Sequence, residues 1–274
     1  MQRIKNSWEL GKISWSVLRS DRSLAWFPVM SAIAALVVIG IFAALVGLTG
    51  IETKEGHEGL KGIGYVFVVF GYIGLAFVTT YFLAALVHGA NERLEGREAS
   101  VAGSLAAANS KLHRILPWAL VQATVSVILQ AIEERFGVVG RIIAGLLGAA
   151  WAIVTFLTVP IIMLEDLGPI AALKRSGALL KRTWGENIVG QGGFGLLGLV
   201  AMLPAAVLVA IAATGGVAVA VVFGVLAAIW IAIVLVVLAA MTGIYRVALY
   251  RFACDGVAPP AFAGADLQHA FRPR

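Results

Sequence analysis

The sequence predicts an all-α polytopic membrane protein with six transmembrane helices, arranged as three hairpins, each preceded by a cytoplasmic interfacial amphipathic helix. Three observations carry this. First, 60% of the 274 residues are hydrophobic and 13% charged, with a mean hydropathy of +0.93. Soluble domains are nearer half apolar and a quarter charged, so the solvent around this chain is a bilayer. Second, six apolar runs are each long enough to cross a core roughly 30 Å thick. Third, lysine and arginine gather in alternate connections between those runs.

Residues 1–22 read as an amphipathic helix lying on the membrane. Ile4, Trp8, Gly11, Trp15 and Leu18 share one face at helical spacing, and Lys5, Lys12 and Arg19 run beside them one heptad apart. Tryptophan at the head-group level with snorkelling basic side chains is interfacial chemistry. The competing reading is a soluble amphipathic helix packed on another domain. The stretch does not read as a cleavable signal, because no small-residue cleavage site closes a short apolar core.

The first span runs from about Ala25 to Leu48, with Pro28 in its first turn, where a missing N–H costs nothing. The second covers about Ile63 to His88, the third about Ile115 to Ile132 and the fourth about Ile142 to Leu164. The fifth, about Ile188 to Ala213, opens on a glycine-rich turn and contains Pro204; the sixth covers about Val217 to Tyr245. Lysine and arginine number five before the first span, four near 91–114, four near 165–187 and four from Arg246 onward. The opposite side holds Lys54, Lys61, Arg135 and Arg141. This asymmetry places both termini in the cytoplasm.

The three cytoplasmic junctions resemble one another. Leu94 to Lys111, Leu164 to Lys181 and Ala253 to Phe271 each join a span end, an acid–glycine turn and an alanine-rich segment. Aligning Ile4 with Leu173 sets Trp15 on Trp184 and brings Lys5 and Lys12 onto Lys174 and Lys181. The chain therefore reads as a single membrane domain, 1–274, of three repeated units (about 1–90, 91–165 and 166–252) with a tail at 253–274, where a fourth interfacial helix near Ala261 to Phe271 caps the end.

The net charge is +6. Because the basic residues sit between spans, anionic lipid head groups rather than nucleic acid are the expected counter-ions. Cys254 is the single cysteine, so no intramolecular disulfide is possible. The four histidines lack metal-binding spacing, and neither metal nor cofactor is expected. Driven transporters place ionisable groups near the midplane, and these spans hold none there. Gln122 and Gln130 are the most polar side chains inside a span, which interhelical hydrogen bonding explains more simply than a substrate does. Trp151 and Trp230 stand deep in the fourth and sixth spans; internal packing is their plainer explanation, an apolar groove shared with Gln122 the sharper one. Small residues four apart, such as Gly40 with Ala44, Ala144 with Gly148 and Gly224 with Ala228, allow close helix approach within one chain or in a homo-oligomer.

The junction Pro160–Lys181 carries the pattern P-x4-E-x6-A-x3-S-x4-K in Pro160, Glu165, Ala172, Ser176 and Lys181. In this it resembles bacterial six-helix membrane families, including the membrane domain found beside some glycerophosphodiester phosphodiesterases and the YciC-like inner-membrane proteins. The resemblance implies an accessory or organising membrane protein and supplies no substrate.

The functional expectation is a non-enzymatic membrane protein whose basic collar binds inner-leaflet lipid or a partner protein, as a homo-oligomer or within a membrane complex. The collar residues are Lys5, Trp8, Lys12, Trp15, Arg19, Lys174, Arg175, Lys181, Arg182 and Trp184. One alternative is a carrier or flippase for a lipid-like amphiphile using Gln122, Trp151 and Trp230. The other is a membrane-embedded enzyme using His88, Glu92, Glu165 and Asp166.

Overall fold

A computed structural model of the chain describes residues 2–54, 57–60, 62–184 and 192–256. The start of the expected fifth span before Gly192 and the expected helix near 261–271 lie outside the described residues. Nine α-helices are described: α1 (Gln2–Ser20), α2 (Trp26–Leu45), α3 (Gly62–Leu94), α4 (Val101–Ser110), α5 (Leu112–Val154), α6 (Thr158–Leu164), α7 (Pro169–Trp184), α8 (Gly192–Thr214) and α9 (Val217–Asp255).

Five helical stretches among the described residues are long and apolar enough to cross a membrane: Arg22–Thr49, Gly62–Leu94, Leu112–Leu164, Leu197–Thr214 and Val217–Asp255. The chain is an integral membrane protein built inside-out relative to a soluble one. Leu36, Val37, Leu146 and Val217 face outward while Ala84, Ala85, Ala119 and Ala240 are buried. Large apolar side chains meet lipid at no cost, and small ones let backbones approach.

The chain divides into two compact units: residues 1–28, 89–100 and 178–274, and residues 29–88 and 101–177. Each of the three sequence units of the expected repeat contributes to both.

In the second of these units, α2 and α3 pack closely, because Gly71 and Gly74 have no side chain. A β-carbon at Gly74 would lie 3.1 Å from Val38 Cγ1, and one at Gly71 3.4 Å from Phe42 Cβ. The connection between α2 and α3 carries two short strands. Strands β1 (Ile51–Lys54) and β2 (His57–Leu60) pair antiparallel, with Ile51 opposite Leu60 and Lys54 opposite His57.

Where the sequence suggests separate third and fourth spans, there is one 53-residue helical stretch. It folds back on itself at a single residue. Gly137 has φ 55° and ψ −128°, a region open essentially to glycine alone. Residues 15 before it and 14 after it touch: Trp151 Nε1 donates to Gln122 Oε1 at 2.6 Å. Nearer the reversal, Arg141 Nε donates to Glu133 Oε1 at 3.0 Å. Ala144 is buried, and a β-carbon at Gly148 would stand 3.6 Å from Leu129 Cδ1, so this small-residue pair is used inside the hairpin. Gly40, Gly47, Gly145 and Gly224 meet nothing within 4 Å.

The expected fourth span is also not continuous. The helix stops at Val154, turns through Thr155–Leu157 and restarts as α6. Pro160, in the first turn of α6, has no N–H to bond back to residue 156, and its ring opposes a continuous helix there.

In the other unit, α1 packs on α8 and α9. A β-carbon at Gly11 would lie 2.5 Å from Leu197 Cδ1, so α1 comes down closely on α8. The buried stripe of α1 is Gly11, Ser14, Val17 and Leu18. Trp15, which the periodicity sets on that stripe, is 46% exposed. Asp21 makes the elbow after α1: its carboxylate accepts from the Ser23 N–H at 3.0 Å and from the Ser23 hydroxyl at 2.6 Å. α8 and α9 pack along their lengths, and Trp230 Nε1 donates to the Ala201 carbonyl at 2.9 Å, one turn before Pro204.

Candidate functional site

The polar chemistry of residues 29–88 and 101–177 collects at the two ends of the folded-back hairpin. At the end away from Gly137 is the Pro160–Ser176 junction. α7 turns Ala172, Ser176, Leu179 and Leu180 to its buried face. Ser176 stands opposite the break in the fourth span. Its hydroxyl donates to the Val154 carbonyl at 2.6 Å, and its oxygen accepts from the Leu157 N–H at 3.3 Å. These are backbone groups that the interrupted helix no longer pairs internally. One serine thus takes up two backbone groups at the break between α5 and α6.

Two ion pairs fasten the same junction. Glu165 takes Arg175 Nε at 3.3 and 3.2 Å to its two oxygens. Asp166 takes Lys111 and, at 2.9 Å, Arg114 Nη2. Asp166 is the one non-glycine residue with positive φ (57°) among the described residues. Its hydrogen bond with Lys111, helped by the charges of Lys111, Arg114 and His113 against a desolvation cost, holds its carboxyl below the usual range. The acids therefore act as fasteners between the α4–α5 elbow, the end of α6 and α7.

The other unit holds a comparable cluster. Arg251 of α9 donates Nε and Nη2 to Asn91 Oδ1 at 2.9 and 2.8 Å and pairs with Glu95. Glu92 holds Arg97 through two bonds of 2.6 and 2.7 Å, and this hydrogen bonding raises the arginine's pKa further. Gly96, at φ 78°, makes the turn.

At the Gly137 end the arrangement differs. An open cleft of about 950 Å3 is lined by Tyr72, Ser126, Gln130, Glu133, Glu134 and Arg141, with Leu129, Ala144 and Gly145 as its apolar wall. The Tyr72 hydroxyl donates to Gln130 Oε1 at 2.8 Å, and Gln130 Nε2 donates to Glu134 Oε1 at 2.9 Å. Glu133 is held by Arg141.

The residues singled out from sequence fall into three groups. Lys12, Arg19, Lys174 and Lys181 are exposed, and Arg175 is engaged with Glu165. Pro160, Glu165 and Ser176 are brought together at the junction. Gln122 and Trp151 bond each other, with Trp118 stacked on Trp151 at 6.1 Å, while Trp230 bonds the Ala201 carbonyl. The side chains of Lys5, Trp8, Arg182 and Trp184 lie outside the described part. Tyr72, Glu133, Glu134 and Gly137 were not singled out; the available signal was a pair of acids followed three residues later by glycine between two apolar arms.

No match is found among curated proteins or among solved structures. The match that exists is to a family model described as a family of unknown function, DUF6159, over residues 62–259. That stretch takes in the α3 turn, the reversal at Gly137, the Pro160–Ser176 junction and all of α8 and α9, and the chain belongs to the DUF6159 family.

Proposed function

We propose that the chain is a non-enzymatic accessory protein of the bacterial plasma membrane, with both termini cytoplasmic, whose basic helices α1 and α7 form a collar that holds anionic inner-leaflet lipid. The carrying observation is the two-sidedness of those helices. α7 buries Ala172, Ser176, Leu179 and Leu180 and leaves Lys174 and Lys181 exposed; α1 buries Gly11, Ser14 and Leu18 and leaves Lys12 and Arg19 exposed. Basic side chains beside apolar spans attract anionic head groups by about 1 kcal/mol each.

The six-crossing topology belongs to this reading. The two arms on either side of Gly137, 112–136 and 138–154, rise about 37 and about 26 Å at 1.5 Å per residue, which suits two passes rather than one. A membrane-embedded enzyme built on the rim acids fits less well, because Glu165, Asp166 and Glu92 are engaged with Arg175, Lys111, Arg114 and Arg97. The resemblance to the phosphodiesterase-associated and YciC-like groups adds nothing to the assignment.

The test is lipid retention. Protein purified in mild detergent should carry anionic lipid visible by native mass spectrometry. Reversing Lys174 and Lys181 to Glu should lower that retention by about 10-fold or more. Unchanged retention removes the collar. Topology is read separately: a label at Thr53→Cys and one at the natural Cys254 should report opposite sides.

A further inference from the structure

The cleft beside Gly137 holds charged and polar groups at the turn between two apolar arms. Gln130 lies seven residues, about 10 Å of helix rise, from the reversal. Gln130 and Glu134 are exposed to the cleft rather than packed between helices.

The charges in the cleft do not cancel. Glu133 and Arg141 form a pair. Glu134 accepts a hydrogen bond from the neutral amide of Gln130, which is itself oriented by the Tyr72 hydroxyl. The relay from Tyr72 through Gln130 fixes one carboxylate oxygen of Glu134. Among the lining residues, two acids therefore face one base, and the site complements a cation. Tyr72 is the only aromatic residue among those lining it. A quaternary ammonium is bound by an aromatic cage, so a primary ammonium, with three N–H donors for carboxylates, fits better. Arg141 stands across the cleft on Glu133, where a guanidinium can also meet a phosphate. Leu129 and Ala144 supply an apolar wall, and a volume of about 950 Å3 admits a head group with the first part of its chains.

We propose that this cleft binds the head group of a zwitterionic amphiphile bearing a primary ammonium, with Glu134 taking the ammonium and Arg141 the phosphate. The site is independent of the collar, from which it differs in charge, place and ligand.

The experiment uses the full chain in detergent, titrated with phosphatidylethanolamine, phosphatidylcholine, phosphatidylglycerol or free ethanolamine while the thermal midpoint is followed. Phosphatidylethanolamine should raise the midpoint saturably at concentrations about 10-fold lower than phosphatidylcholine or phosphatidylglycerol. Glu134→Gln keeps the shape and removes the charge; it should weaken the effect about 10-fold or more, and Arg141→Gln should abolish the advantage of phosphatidylethanolamine over a simple alkylamine. Gly224→Ala, in open space on α9, should leave the response intact. Native mass spectrometry of lipid retained by the unaltered protein gives a readout that no variant's folding can confuse. Equal response to the three lipids, or a Glu134→Gln protein that responds like the unaltered one, overturns the proposal. Equal stabilisation by free ethanolamine overturns the assignment to an amphiphile.

Discussion

The two ends of the hairpin 112–164 treat polar groups in opposite ways. At the junction with α7 they close on one another: Ser176 takes up both Val154 and Leu157, Glu165 takes Arg175, and Asp166 takes Lys111 and Arg114. At the Gly137 end they line an open cleft in which Tyr72, Gln130 and Glu134 form a chain that stops at a carboxylate. At the junction most polar groups pair within the protein, with Arg114 Nη1 and Thr158 Oγ1 left over, whereas at the Gly137 end only Glu133 is matched by a charge.

The sharpest way to break the comparison is Ser176→Ala. It strands a buried N–H and a buried carbonyl, each worth about 1–3 kcal/mol when left unpaired. The thermal midpoint of the purified protein should fall by the largest amount of any single change here, and Ser176→Thr, which keeps the hydroxyl, should restore part of it. Next comes Gly137→Ala. At φ 55° and ψ −128° a β-carbon costs on the order of 1–3 kcal/mol, so the midpoint should fall while Gly145→Ala, in open space, leaves it unchanged. Trp151→Phe removes the indole donor to Gln122 and keeps the ring on Trp118, with an expected loss of about 1 kcal/mol in the same assay.

The smallest effect belongs to Asp166. Its pKa is depressed in the folded protein, so its contribution is complete above the ordinary carboxylate value of about 3.9 and is lost as pH falls through the lower folded value. A stability profile taken below about pH 4 should lose its Asp166 component in Asp166→Asn and be otherwise unchanged. An identical acid limb in both proteins removes the ion pair from any role in stability.

Much of this was legible in the sequence. Apolar length fixed where helices run, because lipid demands an internally bonded backbone. The acid–glycine turns announced themselves, and Gly96 takes the left-handed conformation that such a turn needs. The reversal at Gly137 was harder to see, since Glu133 to Arg141 reads as a polar loop while its residues remain helical on both sides of a single glycine. The break at 155–157 was hidden because Pro160 looks harmless in an apolar run, and its partner Ser176 is 16 residues away on another helix. On α1 the periodicity was right and the phase was not: Trp15 fits the stripe by spacing, but close packing on α8 selects Gly11, Ser14 and Leu18. The cleft escaped notice because its members come from α3 and from both arms of α5, and no spacing rule joins Tyr72 to Glu134.

A turn made by one glycine leaves no linker. Two antiparallel rods joined in that way can be threaded into lipid only as a pair, since neither has slack to linger outside while the other settles. A few residues added at Gly137 would uncouple the rods and let each choose its own depth.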